Sequence, residues 1–496
     1  MLNNFRDKVI SFIESKSDFP TISAIAAGLY PLIYYYERNF TLVNSWEHFV
    51  YFLVFFILMP ILIFKIIYAI TKRFYFFKPI RKLVLPILNM SWSFYLVTHI
   101  TFKFNFEIIL IGILVAVIVS FFLYKHFKKL IVFQFLLAFF VFILLLKYLI
   151  TNTKYNNLWL NQPDDIEEVV FKKKPNIFFI QPDGYANISE LGKGYYQFDN
   201  SNFETYLNNN DFKVYSNYRS NYSSTLSSNS SLFAMKHHYY KSPINKIREV
   251  FGARDVIIGE NPVLKIFKNN NYRTHLLLGN SYLLANRPNI YYDYCNIDYS
   301  EFDYFSRGFE MSKDIKSELK SRILTHKKSN NFFFLERLSP HHIKNKKKSD
   351  NDAGKEREKY LIRLTETNKW LREVIDYITI NDKNSMIVIA ADHGGYVGMN
   401  AVIESREKQS DRNLIYSIFT SQLAVKWPEE VPHYENKIKT PVNLFRIIFS
   451  YLSEDERYLS HLQDDKSYIQ IDKGAPIGVY EYIDKKGNIL FNKHLD

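Results

Sequence analysis

With a single cysteine, Cys295, in 496 residues, the chain can form no internal disulfide, so its folded part must be held by an ordinary hydrophobic core. Glycine and proline are sparse at 16 each, which excludes a collagen-like or low-complexity fibre. Charged residues at 23% beside 47% hydrophobic ones exclude a disordered polyelectrolyte. Acidic residues are scarcest in the first 150 positions, where six Asp or Glu stand against 15 Lys or Arg; residues 151–496 hold 44 against 48. Most of the net charge of +13 therefore lies in the apolar part of the chain, not on one face of a polar domain. That distribution argues against a nucleic-acid partner and points to a membrane.

Five apolar runs come close to the ~20 residues that cross a bilayer's hydrocarbon core: Ile22 to Tyr36, interrupted by Pro31, then Phe49 to Ile70, Leu83 to Phe102, Ile108 to Tyr124 and Leu130 to Ile150. Lys72, Arg73, Lys78, Arg81 and Lys82 lie between the second and third, and Lys125, Lys128 and Lys129 between the fourth and fifth. The alternate loops hold only Arg38 and Lys103. By the positive-inside rule the basic loops and the N-terminus are cytoplasmic, and five crossings put everything after Ile150 outside. The expected division is a five-helix transmembrane domain over 1–150, a polar linker over 151–174 and an extracytoplasmic domain over 175–496. Lys65 and Lys147 stand near span ends, where they can snorkel, so the spans do not resemble a transport path.

Beyond the linker an α/β rhythm begins. Asn176 to Gln181, Tyr272 to Gly279, Asn331 to Leu335 and Ser385 to Ala391 read as short buried strands, Phe203 to Leu207 as part of a helix, and Glu356 to Ile380 as a long amphipathic helix. Strands alternating with helices predict an α/β/α sandwich around a mainly parallel sheet. Ligands bind at the carboxyl ends of such strands, and there Asp183 follows NIFFIQP and Asp392-His393-Gly394-Gly395 follows SMIVIAA. Asp-Gly after a strand is by itself a tight turn. Two carboxylates and an imidazole at two strand ends suit a divalent cation such as Mn, Zn or Mg. The Ser/Asn-rich stretch from Ser216 to Met235 reads as a loop by composition, but Leu226, Leu232, Phe233 and Met235 predict a helix starting near Thr225. A hydroxyl there would meet the backbone N–H groups that welcome a phosphate.

NIFFIQPDGY, NYSSTLSSNSSL, LSPHHI and AADHGG, in this order, resemble the motifs of the sulfatase-like branch of the alkaline phosphatase superfamily. Placed behind membrane spans, they are most similar to the lipoteichoic acid synthase, phosphoglycerol transferase and phosphoethanolamine transferase group of bacterial envelope enzymes. The resemblance runs from about residue 174 to 455, with QLAVKWPEE and TPVNLFRIIFSYL near its end. It implies Asp183, Thr225, Asp392 and His393 as metal ligands, Thr225 as nucleophile and His341 as the histidine at the transferred phosphate or leaving group. His342 is a rival for that role, and His237, His238, Arg287 and Asp298 are further candidates for substrate contact.

Three departures from the family patterns narrow the reading. Sulfatases require a Cys or Ser in a Cys/Ser-x-Pro-x-Arg setting, and Thr225 is followed by Leu-Ser-Ser-Asn. Phosphoethanolamine transferases usually carry several disulfides, which one cysteine forbids. Lipoteichoic acid synthases usually have Glu where Asp183 stands. The activity implied is metal-dependent transfer of a phosphoglycerol- or phosphoethanolamine-like group from a phospholipid donor to a cell-surface glycan or lipid acceptor, through a phosphothreonine. A phosphodiesterase or sulfatase-like hydrolase and a catalytically inactive membrane-anchored scaffold are the alternatives.

Overall fold

The computed structural model describes residues 2–102, 105–152, 157–239, 250–327, 329–346 and 352–494. Lys103, assigned above to a loop, lies outside them. The chain forms two compact units, Met1–Lys154 and Tyr155–Asp496.

Among its described residues, the first unit's regular elements are all helices. Three stretches of the described residues are long and apolar enough to cross a membrane: Trp46–Arg73, Arg81–Phe102 and Phe106–Ile150. The last contains the fourth and fifth apolar runs as two helices, Phe106–Leu123 and Phe127–Asn152, parted by a single 3-10 turn at Tyr124–His126. The first run lies in the helix Pro20–Val43, which falls short of that apolarity for a structural reason. Its small residues Ser23, Ala24, Ala26, Ala27 and Gly28 are buried against neighbouring helices, and a Cβ on Gly28 would run into the carbonyl oxygen of Phe56 at 1.8 Å. Close approach of this kind uses small side chains in place of bulky apolar ones. A polar clamp fastens the same helix: Asn89 Nδ2 donates to Ser23 O at 2.8 Å and to Gln134 Oε1 at 2.9 Å, and Ser93 Oγ donates to Ala27 O at 3.0 Å. Leu58, Leu62, Ile66, Ile111, Phe122 and Phe140 face outward, each at least half exposed. An apolar exterior around a polar clamp suits an apolar solvent.

The second unit is built on a seven-stranded sheet of β1 (Ile177–Pro182), β2 (Lys213–Val214), β3 (Tyr272–Leu278), β4 (Tyr294–Cys295), β5 (Asn330–Arg337), β6 (Met386–Ala390) and β7 (Leu423–Lys426), in the order β2-β7-β6-β1-β5-β3-β4. The five strands from β6 to β4 run parallel, and β7 is antiparallel to both its neighbours. The sheet is therefore mixed at one edge and parallel at its centre. Residues alternate between two cores. Ile177, Phe179, Phe332 and Phe334 pack with Phe445 and Phe449, whereas Phe178, Ile180, Phe333 and Leu335 pack with Leu364, Leu371 and Ile375. That two-sided burial is why these strands read as unbroken apolar runs. The long helix spans Ala353–Asn381 and covers the second face. The apolar runs of the sequence did not mark the short or edge strands β2, β4 and β7, nor β8 (Ser467–Ile471), β9 (Gly478–Ile483) and β10 (Ile489–Lys493), which form a separate antiparallel sheet.

The stretch expected as a linker is buried in part: Ile166, Val169 and Phe171 join the first core. It is pinned by Arg446, 1% exposed on a wholly buried helix, Pro441–Ser453. The guanidinium donates to Asp164 Oδ2 at 2.6 Å, to Asp164 Oδ1 at 3.1 Å and to Gln162 Oε1 at 2.8 Å. Removing one partner of such a pair leaves the other buried and uncompensated, at about 3 to 5 kcal/mol. Arg446→Ala is expected to lower the thermal midpoint of the second unit accordingly; an unchanged midpoint would show that the pair contributes nothing to docking this segment.

Candidate active site

The central parallel strands β1 and β6 are neighbours, so the residues after them emerge side by side. Asp183 follows β1 and is fixed by its backbone, its N–H donating to Arg337 O at 2.9 Å. Asp392 follows β6, and its Oδ1 accepts from Gly184 N at 3.0 Å and from His393 N at 3.0 Å. His393 Nδ1 lies 2.8 Å from Gly394 O, a partner that can only accept, so Nδ1 carries the proton and Nε2 presents its lone pair. That Nε2 is 3.4 Å from Asp183 Oδ1 and 3.3 Å from Asp392 Oδ2.

Thr225 opens the helix Thr225–Ala234, all ten residues of which are buried. Three of the serines that make this segment look like a loop return their hydroxyls to nearby backbone: Ser230 Oγ donates to Leu226 O at 2.6 Å, Ser228 Oγ to Tyr222 O at 2.9 Å and Ser227 Oγ to Ser224 O at 3.0 Å. Ser224 gives the helix no side-chain cap, which leaves its first N–H groups for other partners. Thr225 Oγ1 lies 3.2 Å from Asp183 Oδ1 and 3.4 Å from His393 Nε2.

The ligand atoms of Asp183, Asp392 and His393 all lie within 4.8 Å of one another, and the three residues are buried. Asp392 Oδ2 has no hydrogen-bond donor among the described residues. Two buried carboxylates, one with an orphaned oxygen, beside an imidazole lone pair and a hydroxyl are a donor set that fits a divalent cation. The charge balance without one is uneven. Burial works to raise Asp183, but the His341 ring hydrogen-bonded to it, with His393 and His342, holds it below the usual carboxylate range. Asp392 has only the His393 ring beside it and no ring hydrogen bond like that of His341; burial and the charge of Asp183 push it up to about 6 against the pull of His393. His393 is raised, because Asp392 and Asp183 outweigh its burial.

His341 caps the centre from the open side. Its Nδ1 bonds Asp183 Oδ2, its N–H donates to Asp183 O at 2.8 Å, and its side chain is 32% exposed. The His342 ring lies beside it, tilted by 36° with ring centroids 3.8 Å apart, and 5.9 Å from the His393 ring; burial and His341 push it down to about 3. His237 and Arg287 are engaged elsewhere. His237 binds Tyr222 Oη at 3.0 Å and Asp464 O at 2.8 Å, and burial pushes it down to about 4. Arg287 donates to Tyr299 O and Phe302 O at 3.0 Å and lies 3.9 Å over the Tyr304 ring. His238 likewise bonds Ser227 O at 2.7 Å, Asp298 caps the turn Tyr299–Glu301, and Cys295 sits half-buried on edge strand β4.

Two residues escaped the sequence. Tyr360, buried on the long helix, donates to Gly184 O at 2.9 Å and accepts from Ala186 N at 3.0 Å, holding the turn after Asp183. Glu336 on β5 is fully buried without a partner for either oxygen among the described residues; burial, Asp183 and Asp392 raise it well above the carboxylate range. An apolar-looking FFFLER run gives no signal for it. The glycines of AADHGG, in contrast, have clear reasons: a Cβ on Gly394 would meet Ser417 O at 2.3 Å, and one on Gly395 would meet the Tyr360 ring at 2.4 Å.

The family model described as Sulfatase matches residues 188–450, more than half of the chain and inclusive of Thr225, His341, Asp392 and His393. No curated protein matches the sequence. Solved structures with a similar chain path include the C-terminal periplasmic domain of EptC from Escherichia coli in complex with Zn, at 10% identity and TM-score 0.42, covering 64% of this chain and 93% of that one. The lipoteichoic acid synthase LtaP from Listeria monocytogenes is 13% identical at TM-score 0.41, covering 66% and 91%. The soluble domain of lipooligosaccharide phosphoethanolamine transferase A from Neisseria meningitidis is 11% identical at TM-score 0.36, covering 58% and 92%. Similarity at this level assigns no side chain a role.

Two outcomes follow from the geometry. Because Asp392 and His393 must each give up a proton to bind a cation, and both are held above their ordinary values, affinity for Mn2+ in equilibrium dialysis should fall steadily as the pH drops from 7 to 5; a flat profile over that range would remove the pair from the ligand set. Gly395→Ala should displace Tyr360 and weaken Mn2+ binding in a protein that still folds, whereas Tyr360→Phe, which keeps the ring, should weaken it less.

Proposed function

This chain belongs to the sulfatase family, and we propose that within it the chain is a metal-dependent phosphotransferase with Thr225 as its nucleophile. The observation that carries this reading is the Thr225 hydroxyl at a buried helix start, 3.2 Å from Asp183 and 3.4 Å from His393. A threonine cannot become the formylglycine on which sulfate-ester cleavage depends, whereas its hydroxyl can attack phosphorus directly.

A divalent cation held by Asp183, Asp392, His393 and Thr225 would lower the hydroxyl's pKa and neutralise charge on the phosphoryl oxygens. Thr225 Oγ attacks the phosphorus of a phospholipid donor, and the bond to the lipid alcohol breaks. The N–H groups at the helix start donate to the phosphoryl oxygens as charge builds on them. His341, oriented through Nδ1 by Asp183, gives a proton to the departing alkoxide. In the second half, a hydroxyl of a surface glycan or lipid attacks the phosphothreonine ester and frees Thr225, with His341 taking the incoming proton. His342 lines the approach beside His341. Water in place of the acceptor would make the enzyme a hydrolase. Apolar helices favour transfer, since a domain tethered at a bilayer meets lipid donors at high effective concentration. The same reading places five crossings over 1–150 and the domain of 175–496 outside a bacterial cytoplasmic membrane, with a phosphoglycerol-like group favoured for transfer because one cysteine rules out the disulfides of the phosphoethanolamine enzymes.

With headgroup-labelled phospholipid, the wild-type chain should accumulate label on Thr225 when acceptor is withheld, detected as a phosphothreonine peptide by mass spectrometry. Thr225→Ala should lose the adduct and reduce transfer by at least about 10³-fold, as removal of a nucleophile does. Normal transfer by Thr225→Ala would sink the assignment.

A further inference from the structure

One end of the membrane unit opens into a cavity of about 270 Å³, far in sequence from the residues of the candidate active site. Its polar wall is made by Arg81, Lys82, Lys125, Lys128 and Lys129, with Asp18 as the one carboxylate. Its apolar wall is made by Ile13, Leu85, Pro86 and Phe127. The cations divide into two sets. Arg81 donates to Thr71 O at 3.2 and 3.0 Å, and Lys128 donates to Ser15 O with its ammonium 5.4 Å from the Phe19 ring, so these two hold the walls in place. Asp18 is taken by the Tyr68 hydroxyl. Lys82, Lys125 and Lys129 are exposed and make no hydrogen bond or ion pair among the described residues; Lys82 only overlies the Tyr124 ring at 4.9 Å.

Membrane topology alone does not require this arrangement. Lys72, Arg73 and Lys78 already mark the same loop as cytoplasmic and line no part of the cavity. The cavity instead gathers five cations from two separate helix junctions around one concave space, with a single acid that is already bonded. An anion would be attracted there, and the apolar floor at the ends of apolar helices indicates what that anion is attached to. We propose that the cavity binds the phosphodiester headgroup of an anionic phospholipid. Its volume sits just under the ~300 Å³ at which small-molecule sites begin, which suits a headgroup and not a whole lipid. The acyl chains would run along the outward helix surface, where Phe121 and Phe122 are 53% and 77% exposed.

The test uses the full chain in detergent micelles, titrated with dioctanoyl phosphatidylglycerol, dioctanoyl phosphatidylcholine and inorganic phosphate and read by native mass spectrometry. Bound phosphatidylglycerol should exceed phosphatidylcholine, and phosphate at the same concentration should not displace it. Each juxtamembrane lysine contributes about fivefold in affinity, so Lys82→Gln/Lys125→Gln/Lys129→Gln should weaken one bound phosphatidylglycerol by on the order of 100-fold. Lys72→Gln/Arg73→Gln/Lys78→Gln removes equal charge outside the cavity and should leave that lipid in place. Any lipid held at Thr225 is common to both variants and cancels. Equal losses in the two triple variants would reduce the effect to general surface charge, displacement by phosphate would make the cavity a free-anion site, and equal binding of the two lipids would remove it as a site. Unfolding of the first variant would show as a lowered thermal midpoint; in that case Lys125→Gln alone should still cost about fivefold, and no loss there overturns the proposal.

Discussion

Two carboxylates buried side by side, Asp183 and Asp392, impose the constraint around which the second unit is organised. Carboxylates this close cannot both stay ionised in a water-poor interior without positive charge or donors aimed at them. The fold answers unequally. Asp183 is surrounded by imidazoles and stays ionised, while Asp392 keeps one oxygen without a donor and is pushed up toward neutrality. That imbalance is what a bound cation would remove. Glu336, buried behind them, is raised well above the carboxylate range by burial and by the same two aspartates.

Much of the surrounding architecture holds this cluster in place. Parallel pairing of β1 and β6 sets the two aspartates at one level. Tyr360 crosses from the long helix to tie down the turn after Asp183, and Gly395 leaves room for its ring. The Thr225 helix is dressed in small side chains, so it can sink until its first hydroxyl reaches the carboxylates. A larger residue in place of its serines would lift the hydroxyl away. The membrane unit uses the same device, where Gly28 and its alanine neighbours let one helix sink among others around the Asn89 clamp.

The four central strands β1, β3, β5 and β6, the long helix, the family and the Asp183, Thr225, Asp392 and His393 cluster were legible because each leaves a local mark: an unbroken apolar run, a 3.6-residue period or a polar residue directly after a strand. His237 and Arg287 were legible only as polar residues near motifs, and their ring and guanidinium are consumed by neighbours from distant parts of the chain. The first membrane run was too weakly apolar to stand by hydropathy, because its partners supply the burial that its own side chains do not.

By itself the sequence determined periodicity and burial preference: where the central strands and the long helix lie, which connections are basic, and that one cysteine leaves cohesion to the core. It also determined which chemistry Thr225 forbids. Only the tertiary structure decided which donors converge, since convergence depends on strand order and on how deeply each helix sinks. It alone showed Tyr360 and Glu336 at the centre, and it alone gathered lysines from two separate helix junctions around one cavity. These are relations between residues far apart in the chain, and their geometry is set by packing that no local pattern records.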